Sequence, residues 1–180
     1  MSIYDFFIKR ALDQLFYNVY WRSGFILVGT PSGVALSPEG AQHSWKSDIQ
    51  IPNLVTWEPA YAQEMDWIIA ESVKRHMTGD NHERQSVLIR AVTMGLEQKP
   101  FIENLRKQNR FQGMSDADIL EKTRLDCLEG AYWLVNHEGA EGYHPGDNVV
   151  HLFAMGALVP RHSKHPKISW PKESTPMCAL

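Results

Sequence analysis

The chain has 180 residues, 43% of them hydrophobic and 22% charged, with a formal net charge of −3. That length and balance belong to an ordinary globular protein with room for a sizeable core, not to a disordered chain. A small negative charge with no basic block leaves no surface for nucleic acid, which needs clustered Lys and Arg. Small molecules or other proteins are the expected partners.

No apolar run approaches the roughly 20 residues of a membrane-spanning helix. The opening MSIYDFFIKR has neither the basic segment nor the long apolar stretch of a secretory signal, so a cytoplasmic address is expected. Cys127 and Cys178 stand far apart, which suggests reduced thiols and neither a disulfide framework nor a metal site.

In chain order, the apolar residues Ile3, Phe6, Phe7, Leu12, Leu15, Phe16 and Val19 recur at spacings of three and four, predicting one amphipathic helix. Phe25-Ile26-Leu27-Val28 then forms a β-prone run without polar alternation, as expected of a strand covered on both faces. Residues 29–45, GTPSGVALSPEGAQHSW, follow as a loop stiffened by glycines and prolines that delivers Glu39, Gln42 and His43. A second run, Leu54-Val55-Thr56-Trp57, precedes Glu58-Pro59; Pro59 suits the first turn of a helix and Glu58 a helix-start acid. That helix runs through Tyr61, Met65, Ile68, Ile69 and Val73 to Gly79, and a third apolar run covers Ser86 to Val92. His76 and His82, with no third ligand, read as solvated residues.

Beyond Thr93 the chain turns polar, and Ser115 with Asp118 resembles a capping box opening a long helix. Its stripe is Leu120, Cys127, Leu128, Ala131, Leu134 and Val135, and its acid-rich 115–129 stretch predicts a solvated face. Gly139 to Gly146 reads as a linker, Val149 to Met155 as one more strand, and the proline-rich end as an irregular tail.

Short apolar strands alternating with helices predict an α/β fold with a mostly parallel sheet flanked by helices. In such sheets ligands bind outside the carboxyl ends of the strands, and residues 29–45 leave one of those ends. A histidine beside a glycine-rich loop is by itself most simply structural. The aromatics Phe6, Phe7, Phe16, Tyr17, Tyr20 and Trp21 read by spacing as core or subunit-interface packing.

The ordered set of strand, GTPSG, EGAQH, the W-E-P-A helix start, LEGAYWL at 128–134 and VVHLFAMGALVP at 149–160 resembles the thiamine diphosphate enzymes of the transketolase group. Within that group it is most similar to the homodimeric decarboxylating component of pyruvate dehydrogenase. The resemblance implies a partial pyrimidine-binding domain over 1–100, a helical connector over 101–146, the first strand of a C-terminal domain over 147–160, and a non-family tail over 161–180. It implies His43 as the donor facing the substrate oxygen, Glu39 and Gln42 in the substrate pocket, and Phe6 or Phe7 as the ring stacked on the aminopyrimidine. Implied cofactors are thiamine diphosphate and magnesium, the implied substrate is a 2-oxo acid or a ketose, and the implied assembly is a homo-oligomer or complementing chains of one enzyme. The family's activating glutamate and its G-D-G motif followed by Asn-Asn are not among these residues. Gly79-Asp80-Asn81 and Gly146-Asp147-Asn148 lack the glycine at the motif's third position. The expectation is therefore a fragment that contributes the pyrimidine and substrate side of the site without binding the cofactor alone. The alternative is a non-catalytic truncated product that keeps only the fold and a subunit interface.

Overall fold

The computed structural model describes residues 2–31, 51–78, 84–159 and 174–179. Strand β1 (Ser2–Tyr4) leads directly into α1 (Asp5–Arg10), and after a break at Ala11 comes α2 (Leu12–Tyr20). The single helix expected over this stretch is thus three elements. Ile3, Phe6 and Phe7 fit a helical period, yet residues 2–4 are held as a strand by pairing with β2 (Ile26–Thr30). Strand β3 (Leu54–Trp57), helix α3 (Ala62–Thr78) and strand β4 (Ser86–Arg90) follow.

These four strands form one sheet in the order β1-β2-β4-β3, and every pairing is parallel. The register sets Tyr4 opposite Thr30, Gly29 opposite Arg90, and Trp57 opposite Ile89. Parallel strands are normally buried on both faces, and β4 shows why its sequence carries no polar alternation. Val87 and Ile89 enter one core with Trp57, Trp67 and Ile68, whereas Leu88 enters a second with Ile8, Leu15, Val19, Leu27 and Ile51. Successive side chains of a strand point to opposite faces, so a run that must satisfy two cores is apolar throughout.

Leu15 and Val19 lie one helical turn apart on α2 and are its buried residues, which fixes the face that covers the sheet. The remaining aromatic side chains of that helix point outward. Phe16, Tyr17, Tyr20 and Trp21 are all exposed.

Past the sheet, α4 (Lys99–Arg106) and α5 (Asp116–Glu129) pack onto the α3 side of the sheet through Phe101, Leu105, Ile119 and Cys127. Helix α4 lies in the polar stretch beyond Thr93, largely within the helical connector that the resemblance implies over 101–146. Only Phe101 and Leu105 of its eight residues are buried, so the apolar signal is two side chains one turn apart. Ser115 caps α5 as expected, its hydroxyl oxygen accepting from the Asp118 amide at 3.3 Å. The helix stops at Gly130, whose φ of 121° favours a residue without a Cβ, and it does not extend to Val135. Ala131–Tyr132 instead forms β5.

A second sheet has the order β5-β7-β6, with β6 at Val150–Ala154 and β7 at Ser174–Ala179. Strand β7 pairs antiparallel with β5 and parallel with β6. The end of the chain, expected to be irregular, is therefore a strand over 174–179. Its prolines and lack of period are local signals, and Pro176 sits in the strand although it has no N–H for the ladder.

Candidate functional site

The carboxyl ends of the parallel strands converge on one row of residues. Tyr4 closes β1, Thr30 and Pro31 close β2, Glu58 follows β3, and Arg90 closes β4. The Ala91 amide donates to the Gly29 carbonyl at 2.8 Å, continuing the ladder to the last residue. At this edge both Glu58 and Arg90 are buried, an acid and a base on neighbouring strands. Opposite charges this deep are retained in proteins where each can offset the other's desolvation.

Phe7 stands on the first helix just beyond β1, with its ring 5.9 Å from that of Tyr4 in an edge-to-face arrangement. It is half exposed. The segment carrying Glu39, Gln42 and His43 begins at the carboxyl end of β2, beside this ring pair. Those three residues lie outside the described residues, as does the side chain of Phe6.

The amino terminus of α3 also reaches this edge, because the helix follows β3 after a short turn. Three amides at and just before its start are already used. The Glu64 carboxylate accepts from the Ala60 and Tyr61 amides at 2.5 and 2.7 Å, and the Gln98 side-chain oxygen accepts from Ala62 at 2.9 Å. Helix starts often bind anions through such donors, but here the chain's own side chains occupy them. The other oxygen of Glu64 accepts from the Tyr132 hydroxyl, which joins α3 to β5. Glu64 is fully buried, and desolvation raises its pKa above the ordinary carboxyl value against the opposing pull of Tyr132, Tyr61 and Ala60.

Glu64, Tyr132 and Arg90 did not stand out in the sequence. Glu64 completes the reciprocal half of a capping box three residues after Tyr61, and a tyrosine in place of Ser or Thr hides the motif. Arg90 carried a clearer signal, as a charged residue ending an otherwise apolar strand. Glu58, read as the helix-start acid, is separated from α3 by three residues, and Pro59 likewise lies outside its first turn. The helix-start acid is Glu64.

His76 differs from its reading as solvated. A Cβ on Gly24 would stand only 3.0 Å from its Nδ1, so the imidazole packs closely on that backbone, with Nδ1 buried and without a hydrogen bond. Burial also raises the pKa of the Cys127 thiol, and its neighbour Glu64 adds to the shift. This thiol is an inert core group, not a nucleophile. Among the described residues no cluster of three His, Cys, Asp or Glu side chains could hold a metal ion, and no helix is long and apolar enough to cross a membrane.

Fold and edge together define an α/β protein with an all-parallel four-stranded sheet. No family model matches this chain, and no curated protein matches it.

Proposed function

We propose that the carboxyl edge of the four-stranded sheet is the pyrimidine and substrate side of a thiamine diphosphate site, of the pyruvate dehydrogenase or transketolase type. The observation that carries this reading is the meeting of two features: the GTPSG segment leaves β2 at the carboxyl end of an all-parallel sheet, and the Phe7–Tyr4 ring pair stands at the same end.

A half-exposed ring braced edge-on by a second ring suits a flat heterocycle that stacks on one face. The residues present therefore fit the aminopyrimidine. They offer a diphosphate little at this edge, since the Ala60, Tyr61 and Ala62 amides around the start of α3 are taken by Glu64 and Gln98. On this reading the diphosphate side is supplied from outside these residues.

When bound, thiamine diphosphate would supply a nucleophilic carbon for chemistry at the carbonyl of a 2-oxo acid or ketose. His43 donates a proton toward the substrate oxygen as negative charge develops there, a task suited to a group with a near-neutral intrinsic pKa. Glu39 and Gln42 orient that imidazole or line the pocket, and Phe7, or Phe6 beside it, holds the pyrimidine plane.

Ligand-observed NMR on the purified chain tests the reading with 4-amino-2-methylpyrimidine as the probe. Saturation transfer to the probe is expected with the wild type and is lost with Phe7→Ala. Calorimetry with intact thiamine diphosphate and magnesium is expected to show no measurable heat from the chain alone. No transfer to the pyrimidine from the wild type, or tight binding of the intact cofactor, would refute the assignment.

A further inference from the structure

We propose that the cavity between α1, α2 and the chain entering β2 is a second binding site, which takes a small neutral ring compound with a lactam edge. The cavity holds about 330 Å³. That is the lower end of the roughly 300–1,000 Å³ typical of ligand clefts, so one or two fused rings fit and a nucleotide or peptide does not.

Its walls follow from the periodicities of the elements that build it. The Val87 amide donates to the Phe25 carbonyl at 2.8 Å, so the ladder of the sheet already reaches Phe25. Phe25 and Leu27 are two apart on this extended chain and share the face turned toward the helices. Ile8 of α1 and Leu15 of α2, both buried, close the other side. Ala11, at the break between the two helices, is exposed on the rim, and its short side chain leaves the space open. Water solvates an apolar space of this kind poorly, and a ring that enters it gains contacts that water does not supply.

The polar rim sets the chemistry of the occupant. Gln14 and Asn18 line the cavity one helical turn apart on α2, joined by a side-chain hydrogen bond of 3.1 Å. Each of these amides has a carbonyl oxygen and an NH2 group. One bond between them leaves one oxygen and one NH2 over, whichever way the two are oriented, and neither has another partner among the described residues. A lactam sets its N–H and its carbonyl side by side, so a single edge answers both the acceptor and the donor. None of the described lining residues carries a charge. A carboxylate or phosphate would therefore lose its water there without gaining a counter-charge.

Ligand-observed NMR on the purified chain tests this with 2-quinolinone. Saturable transfer is expected, with a dissociation constant of roughly 1 mM for about eleven heavy atoms. Quinoline, which lacks the N–H and carbonyl edge, and 2-naphthoate, which is charged, should each bind about tenfold more weakly. The double variant Gln14→Leu with Asn18→Leu should bring 2-quinolinone down to the level of quinoline. Ala11→Trp fills the space from its exposed rim and should abolish binding of both, with unchanged far-UV ellipticity and unchanged transfer to 4-amino-2-methylpyrimidine. No saturable binding of 2-quinolinone to the wild type, equal binding of quinoline or 2-naphthoate, or binding indifferent to these variants would overturn the proposal. The 2-quinolinone result stands whether or not the wild type binds the pyrimidine, so the two readings fail separately.

Discussion

Glu64 is a local hub, because one buried carboxyl satisfies two backbone amides and one phenol. Replacing Tyr132 by Phe removes the phenol and leaves a buried carboxyl oxygen without its donor. A loss of about 1–3 kcal/mol is expected in urea unfolding. The pH dependence has a defined sign. The folded-state pKa of Glu64 lies above its ordinary value of 4.5, so the folded protein holds this proton more tightly than the unfolded chain. Its contribution is fully present below about pH 4.5 and is lost as pH rises through the folded pKa. Glu71, held low by its hydrogen bond to Arg75, and Asp116, held low by Arg106, act in the opposite sense. The stability of wild type relative to Glu64→Gln isolates the buried group: it should be greatest in acid, fall above pH 4.5, then level off. A difference that is flat or rises with pH would contradict the burial-driven shift. The sequence could not reveal this group, since Glu64 reads as an ordinary helix acid until Tyr132, far along the chain, is folded onto it.

At the scale of elements, what the sequence showed depended on whether a local signal had a competitor. The start of α5 was legible because Ser115 and Asp118 are a self-contained device, and Ser115→Ala should cost about 1 kcal/mol in thermal or urea unfolding. Its end was legible in principle at Gly130, but the apolar stripe through Leu134 and Val135 masked the stop. Those two residues reach the same core from beyond the helix. The strands β2, β3 and β4 were visible as unbroken apolar runs bounded by glycine, proline or charge. Strand β1 was not, because three residues that pair only with β2 share their spacing with a helix. Pairing partners distant in sequence decided β1 and β7 alike, and no window of local periodicity contains them. Of the expected site residues, Phe7 is placed at the carboxyl edge by the join of β1 to α1, whereas Arg90 became notable only once the register set it beside Gly29 and near Glu58.

At the scale of the whole molecule, β2 and β4 are the inner strands of the first sheet, and β4 is buried at every residue with a core on each face. Leu88 is fully buried in the core beneath α1 and α2, and Leu88→Ala is expected to cost about 2–5 kcal/mol, measured as a shift of the urea midpoint at constant slope. A much smaller loss would mean that this core is loosely packed. One further bond ties distant parts together. The Gly156 amide donates to the Glu58 carbonyl at 2.9 Å, so the turn after β6 is fastened to the peptide that closes β3. The deuterium uptake of that single amide is consequently a clock for breathing at the rim of the first sheet, and a molecule that lodges there should slow it even when it never touches residue 156.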